Sequence, residues 1–179
     1  KILNTIPKLK PVEGRFEKIG KIKNQSKVIL DYAHTPDALK TCLLNLREQF
    51  PDKTITVLFG CGGNRDQNKR SKMGKIAVDF ADSIILTNDN PRFENPQKIR
   101  RDIKKGIKKK RIIEISNRAI AITQAIHNLN SGDILLVAGK GHEKTQDIGN
   151  KKIFFSDRKV ILNAIKHKNN NLSDNLKLN

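Results

Sequence analysis

The chain has 179 residues, 36% hydrophobic and 30% charged, which is enough for one well-buried domain, or one domain with a short appendage. Its apolar residues come in compact runs, which excludes a disordered chain, and none of them approaches the ~18 residues of a membrane-spanning helix. The net charge is +18, from 36 Lys and Arg against 18 Asp and Glu.

Lys1 to Gln25 is polar and carries two prolines and two glycines, the pattern of a linker or of the trailing edge of a preceding domain. Lys1-Ile2-Leu3-Asn4 has no apolar signal core, and Lys1 in place of Met suggests a fragment or a processed chain. From Ser26 onward, short β-branched runs alternate with helical patterns. Strands are expected at Val28 to Leu30, Thr54 to Phe59, Ser83 to Leu86, Arg111 to Ile115, Ile134 to Val137 and Ile153 to Phe155.

A helix is expected after Thr35-Pro36-Asp37, with Leu39, Cys42, Leu43, Leu46 and Phe50 on one face. Others are expected from about Lys72 to Phe80, from Pro96 or Gln97, and from Asn117 with Ile120, Ala121, Ala125, Ile126 and Leu129 inward. The last is expected from Ser156 or Asp157, with Val160, Ile161, Ala164 and Ile165 buried. The basic run Lys104 to Lys110 reads as the solvated end of a helix. The alternation predicts an α/β fold: a Rossmann-like open, mostly parallel sheet of about six strands with helices on both faces. Residues 26–167 form the domain, 1–25 the preceding linker, and the Asn-rich 168–179 a disordered tail.

Cys42 and Cys61 form no C-x-x-C pair, and His34, His127, His142 and His167 show no ligand spacing. No metal site is expected, and a reducing cytoplasm fits best. The charge admits two readings. One is a stand-alone basic module that binds nucleic acid without catalysis. The other is compositional: Lys outnumbers Arg more than twofold and Asn and Ile are abundant, as in an A/T-rich genome. With 4% aromatic residues and no Trp, stacking platforms for single strands are absent, which favours the second reading.

The chemistry is positional. Polar or glycine-rich clusters follow five predicted strands: Asp31-Tyr32-Ala33-His34, Gly60 to Asp66, Asn88 to Arg92, Ser116-Asn117-Arg118 and Gly139-Lys140-Gly141-His142-Glu143. The carboxyl ends of parallel strands open on one edge, so these clusters should converge on one small-ligand crevice. Arg65, Arg92 and Lys140 bring cations, Asp89 and Glu143 bring carboxylates, and a site of both signs suits a zwitterionic amino acid. The nucleotide fingerprints fail: Arg65 replaces the third glycine of G-x-G-x-x-G, and Lys144 replaces the second glycine of a P-loop. His34 has no evident nucleophile beside it.

Asp31 to Leu39, Gly60 to Asp66, Asp89-Asn90-Pro91-Arg92 and Ala138 to Glu143 together resemble the C-terminal part of a Mur ligase, over about Gly14 to Ile165. The similarity is greatest to members that add meso-2,6-diaminopimelate to UDP-N-acetylmuramoyl-L-alanyl-D-glutamate during peptidoglycan precursor synthesis. The resemblance implies a third, amino-acid-binding domain of a cytoplasmic, ATP-dependent ligase, inactive alone. ATP and Mg²⁺ would be held mainly by upstream domains, and those domains, the UDP-linked dipeptide and meso-diaminopimelate would be its partners. No nucleic-acid or membrane partner is implied. A separately encoded subunit docking on an ATPase remains the further alternative.

Carried over by motif, Arg65, Asp89, Asn90, Pro91, Arg92, Gly139 and Glu143 would bind the amino acid, with Arg92 on its second carboxylate and Glu143 on an ammonium. Arg15, in Gly14-Arg15-Phe16-Glu17, with Asp31, Tyr32 and His34, would face ATP. The resemblance assigns no catalytic or metal residue to this part, and Lys140 and His142 read as loop scaffolding. Departures fall at Lys159, where Glu would complete a capping box, and at Asn64 and Ser71.

Overall fold

The computed structural model describes residues 12–108 and 112–177, with side chains to 172. Expectations for residues 1–11, for the basic run and strand start at 109–111, and for 178–179 lie outside the described residues.

The apolar runs form the strands of one sheet. These are β2 (Lys27–Asp31), β3 (Ile55–Phe59), β4 (Ser83–Leu86), β5 (Ile112–Glu114) and β6 (Ile134–Ala138), joined at the edge by β1 (Glu17–Lys18). Their order is β1-β2-β6-β3-β4-β5, all parallel except β1, which pairs antiparallel with β2. β6 is buried at every position, as a strand covered on both faces must be, and that burial is why it reads as an unbroken apolar run.

Helices α1 (Pro36–Gln49), α2 (Lys69–Phe80) and α3 (Pro96–Lys104) cover one face, and α4 (Arg118–His127) and α5 (Asp157–Lys177) the other. The period-2 alternation of β6 divides the two cores: Ile134, Leu136 and Ala138 meet Leu39, Leu43, Met73 and Ile103, while Leu135 and Val137 meet Ile122, Ile126 and Ile161. Thr35, Asn95 and Asn117 cap α1, α3 and α4 by accepting backbone N–H groups of the first turn. In α4 it is Ile122 that is buried, whereas Ile120, expected inward, is 49% exposed.

Three expectations are corrected. First, the domain begins before Ser26. The Phe16 amide donates to Asp31 Oδ2 at 2.6 Å, Glu17 pairs with Arg158 of α5, and Ile19 and Ile22 are buried. Two apolar residues among polar ones leave no periodic pattern to read.

Second, Ile153-Phe154-Phe155 does not join the main sheet. Residues 153–154 belong to an antiparallel hairpin of β7 (Thr145–Ile148) and β8 (Lys151–Phe154) turning at Gly149-Asn150, with β8 exposed throughout. Third, the chain does not become disordered at Lys168, because α5 continues through Lys177. The Lys168 ammonium is buried and donates to the carbonyls of His127 and Leu129 at 2.8 Å, satisfying the end of α4. Asn169 bridges the backbone of Lys21 and Lys23. Polar side chains dock this segment where apolar packing was looked for.

The two helices on the α4–α5 face are joined by a fully buried ion pair. Arg118 donates to both carboxylate oxygens of Asp157 at 2.8 and 2.7 Å, and to the Ala138 carbonyl at the end of β6 at 3.0 Å. Burial disfavours the Arg118 charge, but the Asp157 carboxylate outweighs it and holds the guanidinium above its ordinary pKa. Breaking such a pair from one side leaves an uncompensated buried charge. Arg118→Met or Asp157→Leu alone is therefore expected to lower stability by about 3–5 kcal/mol in urea unfolding, and the double substitution to recover most of the loss.

Candidate functional site

The loops after β2, β3, β4 and β6 meet at the carboxyl edge of the sheet around a cleft of about 460 Å³. Arg65, Asp89, Asn90, Arg92, Gly139, Glu143, Tyr32 and His34 line it together, although they are spread over more than 100 positions of sequence. Three expected residues stand off its wall. Pro91 is buried, with its carbonyl accepting from the Glu94 amide at 3.0 Å. The Asp31 carboxylate is turned inward, accepting the Phe16 and Ala33 amides at 2.6 Å, so it ties the N-terminal segment to β2. Arg15 sits at the rim.

The fifth cluster also departs from expectation, because Arg118 points into the core and not into the crevice. A second depression of about 440 Å³ lies between α2 and α3, among Ser71, Lys72, Lys75, Lys105 and Lys108, and gathers none of the loop motifs.

Inside the cleft Asn90, Arg92 and Glu143 are held from behind. Asn90 donates through Nδ2 to Glu143 Oε2 at 3.0 Å, and its Oδ1 accepts from Lys140 Nζ at 2.9 Å and from the Asp147 amide at 3.0 Å. Lys140 is wholly buried and also donates to Glu143 Oε2 at 2.7 Å and the Thr145 carbonyl at 2.8 Å. Burial alone would push the Glu143 carboxyl up. Hydrogen bonds from Lys140 and Asn90, with the charges of Lys140 and Arg92, reverse this and hold it below the usual carboxylate value.

Arg92 donates through Nη1 to the Gly63 carbonyl at 2.8 Å, and its Nε lies 3.7 Å from Asp147 Oδ2. Its backbone is left-handed, with φ at 50°, a conformation that costs a non-glycine residue and that clusters at functional sites. The Arg92 amide donates to the Asp147 carbonyl at 3.0 Å, and Gln146 Nε2 donates to the Asp89 carbonyl at 2.6 Å. Strand β7 thus clamps Asp89, Asn90 and Arg92 in turn. Gly139 must be glycine: its φ is +114°, and a Cβ there would lie 2.8 Å from Asp89 Oδ2.

The β3 loop is fixed in the same way. Arg70, fully buried, donates to both Glu94 carboxylate oxygens at 2.9 Å, to Asp102 at 3.2 Å and to the Gly62 carbonyl. Arg65 is exposed in the cleft and makes no hydrogen bond or ion pair among the described residues. At the rim, the Arg15 guanidinium lies 4.7 Å from the Tyr32 ring centre, with His34 and His142 at 4.6 and 5.3 Å on the same ring. Burial pushes the Cys61 thiol up to about 12, and burial with the nearby Asp31 does the same for Cys42, so neither is a nucleophile at neutral pH.

Gly14 to Gly141 match the family model described as Mur ligase, glutamate ligase domain. The chain belongs to the Mur ligase family. Its UDP-N-acetylmuramoyl-L-alanyl-D-glutamate–2,6-diaminopimelate ligase relative from Rickettsia felis is 49% identical over 162 residues, covering 90% of this chain and 30% of the relative. The enzyme of the same name from Buchnera aphidicola is 48% identical over 168 residues, covering 93% and 33%. A solved structure of a ligase with this name superposes with a TM-score of 0.81 at 38% identity, over 93% of this chain and 34% of that one. This Mur ligase chain spans about a third of the length of the curated relatives it matches. The comparisons lend no support to the nucleic-acid reading of the charge.

Lys140, Gln146 and Asp147 are the residues that sequence reasoning left without a role in the site. Lys140 was visible as a cation in a glycine-flanked loop after a strand. The two β7 residues carry no local signal, because their partners lie on another loop.

Two outcomes follow from this geometry. Gly139→Ala should displace Asp89 and lower the thermal midpoint, while leaving the α1–α3 core intact by amide hydrogen exchange. The carboxyls of Glu94, Asp102, Glu114 and Glu143 are all held below their ordinary values of 4.5 or 3.8. Their stabilisation is complete above those ordinary values and is lost as pH falls through the depressed folded values. Urea midpoints should therefore hold steady down to about pH 5 and fall steeply below pH 4.

Proposed function

We propose that this chain is the amino-acid-binding part of an ATP-dependent ligase that adds meso-2,6-diaminopimelate to UDP-N-acetylmuramoyl-L-alanyl-D-glutamate. In that reaction ATP activates the D-glutamate carboxylate as an acyl phosphate, and an amine of diaminopimelate displaces phosphate to form the amide. The observation that carries the reading is the pairing of opposite charges across one cleft. Among the described residues Arg92 Nη2 makes no hydrogen bond and is available to a carboxylate, and Glu143 Oε1 makes none and is available to an ammonium.

Arg92 receives the carboxylate that distinguishes diaminopimelate from lysine. Glu143 and Asp89 receive an ammonium, and Arg65 adds a mobile cation at the mouth. These contacts orient the attacking amine and strip water from the charged end that does not react. The rim suits an anion with a planar base: Arg15 supplies charge, and Tyr32 and His34 supply ring faces. Asp31 supports that rim from inside, through the Phe16 and Ala33 amides. Among the described residues no three His, Cys, Asp or Glu side chains gather into a metal-holding group. We assign ATP and Mg²⁺ mainly to the upstream domains. No helix among the described residues is long and apolar enough to cross a membrane.

The test is ligation by the whole polypeptide, with the upstream domains present, measured as phosphate release with meso-diaminopimelate or L-lysine. Arg92→Ala removes one side of a desolvated charge pair, worth about 2–5 kcal/mol. kcat/KM for diaminopimelate should fall by roughly 30- to 5,000-fold, and that for lysine by less than about threefold. Equal losses on both would refute the role given to Arg92. Ligation of neither amino acid by the unaltered enzyme would refute the reading as a whole.

A further inference from the structure

We propose that Lys140 is a positioning residue of this cleft: its buried ammonium fixes which atoms of Asn90 and Glu143 face the ligand. The inference rests on the amino-acid-site reading and adds to it a residue that contacts no ligand.

The argument begins with counting. An ammonium has three protons and no acceptor, and Lys140 directs its protons at three protein oxygens: Asn90 Oδ1, Glu143 Oε2 and the Thr145 carbonyl. The side chain is wholly buried, so no proton is left for a substrate. A lysine between two glycines after a strand would, in a phosphate-cradling loop, reach out to the anion. Here it points the other way and is saturated.

The consequences pass through Asn90. Its Oδ1 accepts from Lys140 and from the Asp147 amide, so a flipped side chain would set an NH₂ group against two donors. The amide is thus locked with Nδ2 toward Glu143 Oε2. Glu143 Oε2 then takes both Lys140 and Asn90, and Oε1 is the oxygen left to face the cleft. Removing the Lys140 ammonium leaves the Asp147 amide as the one donor holding Asn90 Oδ1 and takes a cation from a half-buried carboxylate. Arg92 across the cleft and Arg118 beneath it still face Glu143, with His142, Lys144 and Glu13 at its outer side. None of these makes a hydrogen bond to it among the described residues, so burial regains the upper hand.

The test uses the 179-residue chain labelled with ¹³C at glutamate carboxyls. Glu143 is titrated by NMR in the unaltered chain, in Lys140→Met and in Lys140→Gln, and meso-diaminopimelate affinity is measured at pH 7. In Lys140→Met the Glu143 midpoint should rise by about one pH unit or more, with affinity falling about tenfold. Lys140→Gln, which keeps a donor without the charge, should lie between. An unmoved midpoint in a folded Lys140→Met protein overturns the proposal, whatever the affinity.

Should neither variant fold, the unaltered chain decides. A slowly exchanging Lys140 NH₃⁺ signal, measured without ligand, supports the proposal, and a rapidly exchanging one overturns it. Failure of the unaltered chain to bind diaminopimelate would count against the amino-acid-site reading alone. The Glu143 titration needs no ligand and judges Lys140 separately.

Discussion

The insertion of β6 between β2 and β3 is the constraint from which the site follows. The segments leaving β2, β3 and β4 turn to the face covered by α1, α2 and α3, whereas the chain around β6 supplies α4 and α5 on the opposite face. Connections that depart to opposite sides of a parallel sheet leave a crevice at the carboxyl ends of their strands. β6 ends at that crevice in Ala138, followed by Gly139 and Lys140. The strand must be apolar to fill the middle of the sheet, and its sequel must be nearly free of side chain, because Asp89 lies against Gly139. One topological choice therefore imposes both a hydrophobic demand and a steric one on consecutive residues.

Among the described residues, Arg70, Arg118 and Lys140 are cations with at most 1% exposure behind the crevice, each at a junction between elements. Arg70 ties the β3 loop to Glu94 and Asp102 around α3, and Arg118 ties α4 to the start of α5 and the end of β6. Lys140 ties the β6 loop to the β4 loop and to β7. A buried charge is costly unless its partners are well placed, so each cation makes the position of its carboxylate a condition of folding. Arg70 Nε and Arg118 Nη1 make no hydrogen bond among the described residues. What these cations supply is direction. Apolar packing of the same volume would tolerate small slips, and a guanidinium on two carboxylate oxygens does not.

How much of this was legible depended on whether a feature leaves a local pattern. β2, β3, β4 and β6 are buried on both faces, which makes them apolar runs, and Thr35, Asn95 and Asn117 occur where helix caps belong. The cleft residues were legible because parallel topology turns the position after a strand into a place in space. β1 is two residues long and polar. The end of α5 is held by Lys168 and Asn169, whose partners lie 39 and 146 or more positions away. Arg118 and Asp157 are likewise 39 residues apart, and no periodicity joins them. The inward turn of Asp31 was hidden for the same reason, since a carboxylate after a strand can serve a ligand or its own backbone equally well. The apolar triplet at Ile153 shows the converse error, because exposed residues of a short hairpin imitate a buried strand when read alone.

The net charge of +18 is the property most easily misread. Spread over the surface, it raises the local concentration of anions but is screened beyond about 8 Å at physiological ionic strength. Within the cleft the balance is different. Arg65, Lys69 and Arg92 share the lining with Asp66, Asp89 and Glu143, and Lys69 is partly engaged with the His34 carbonyl at 2.7 Å. Neither sign dominates there, so a plain polyanion gains little over water and meets carboxylates it must displace. A ligand bearing a carboxylate and an ammonium a short distance apart satisfies both sets at once. On the proposed reading, recognition is decided by the groups of the cleft, most of them held in place from behind, and the surface field serves only to bring charged molecules to them.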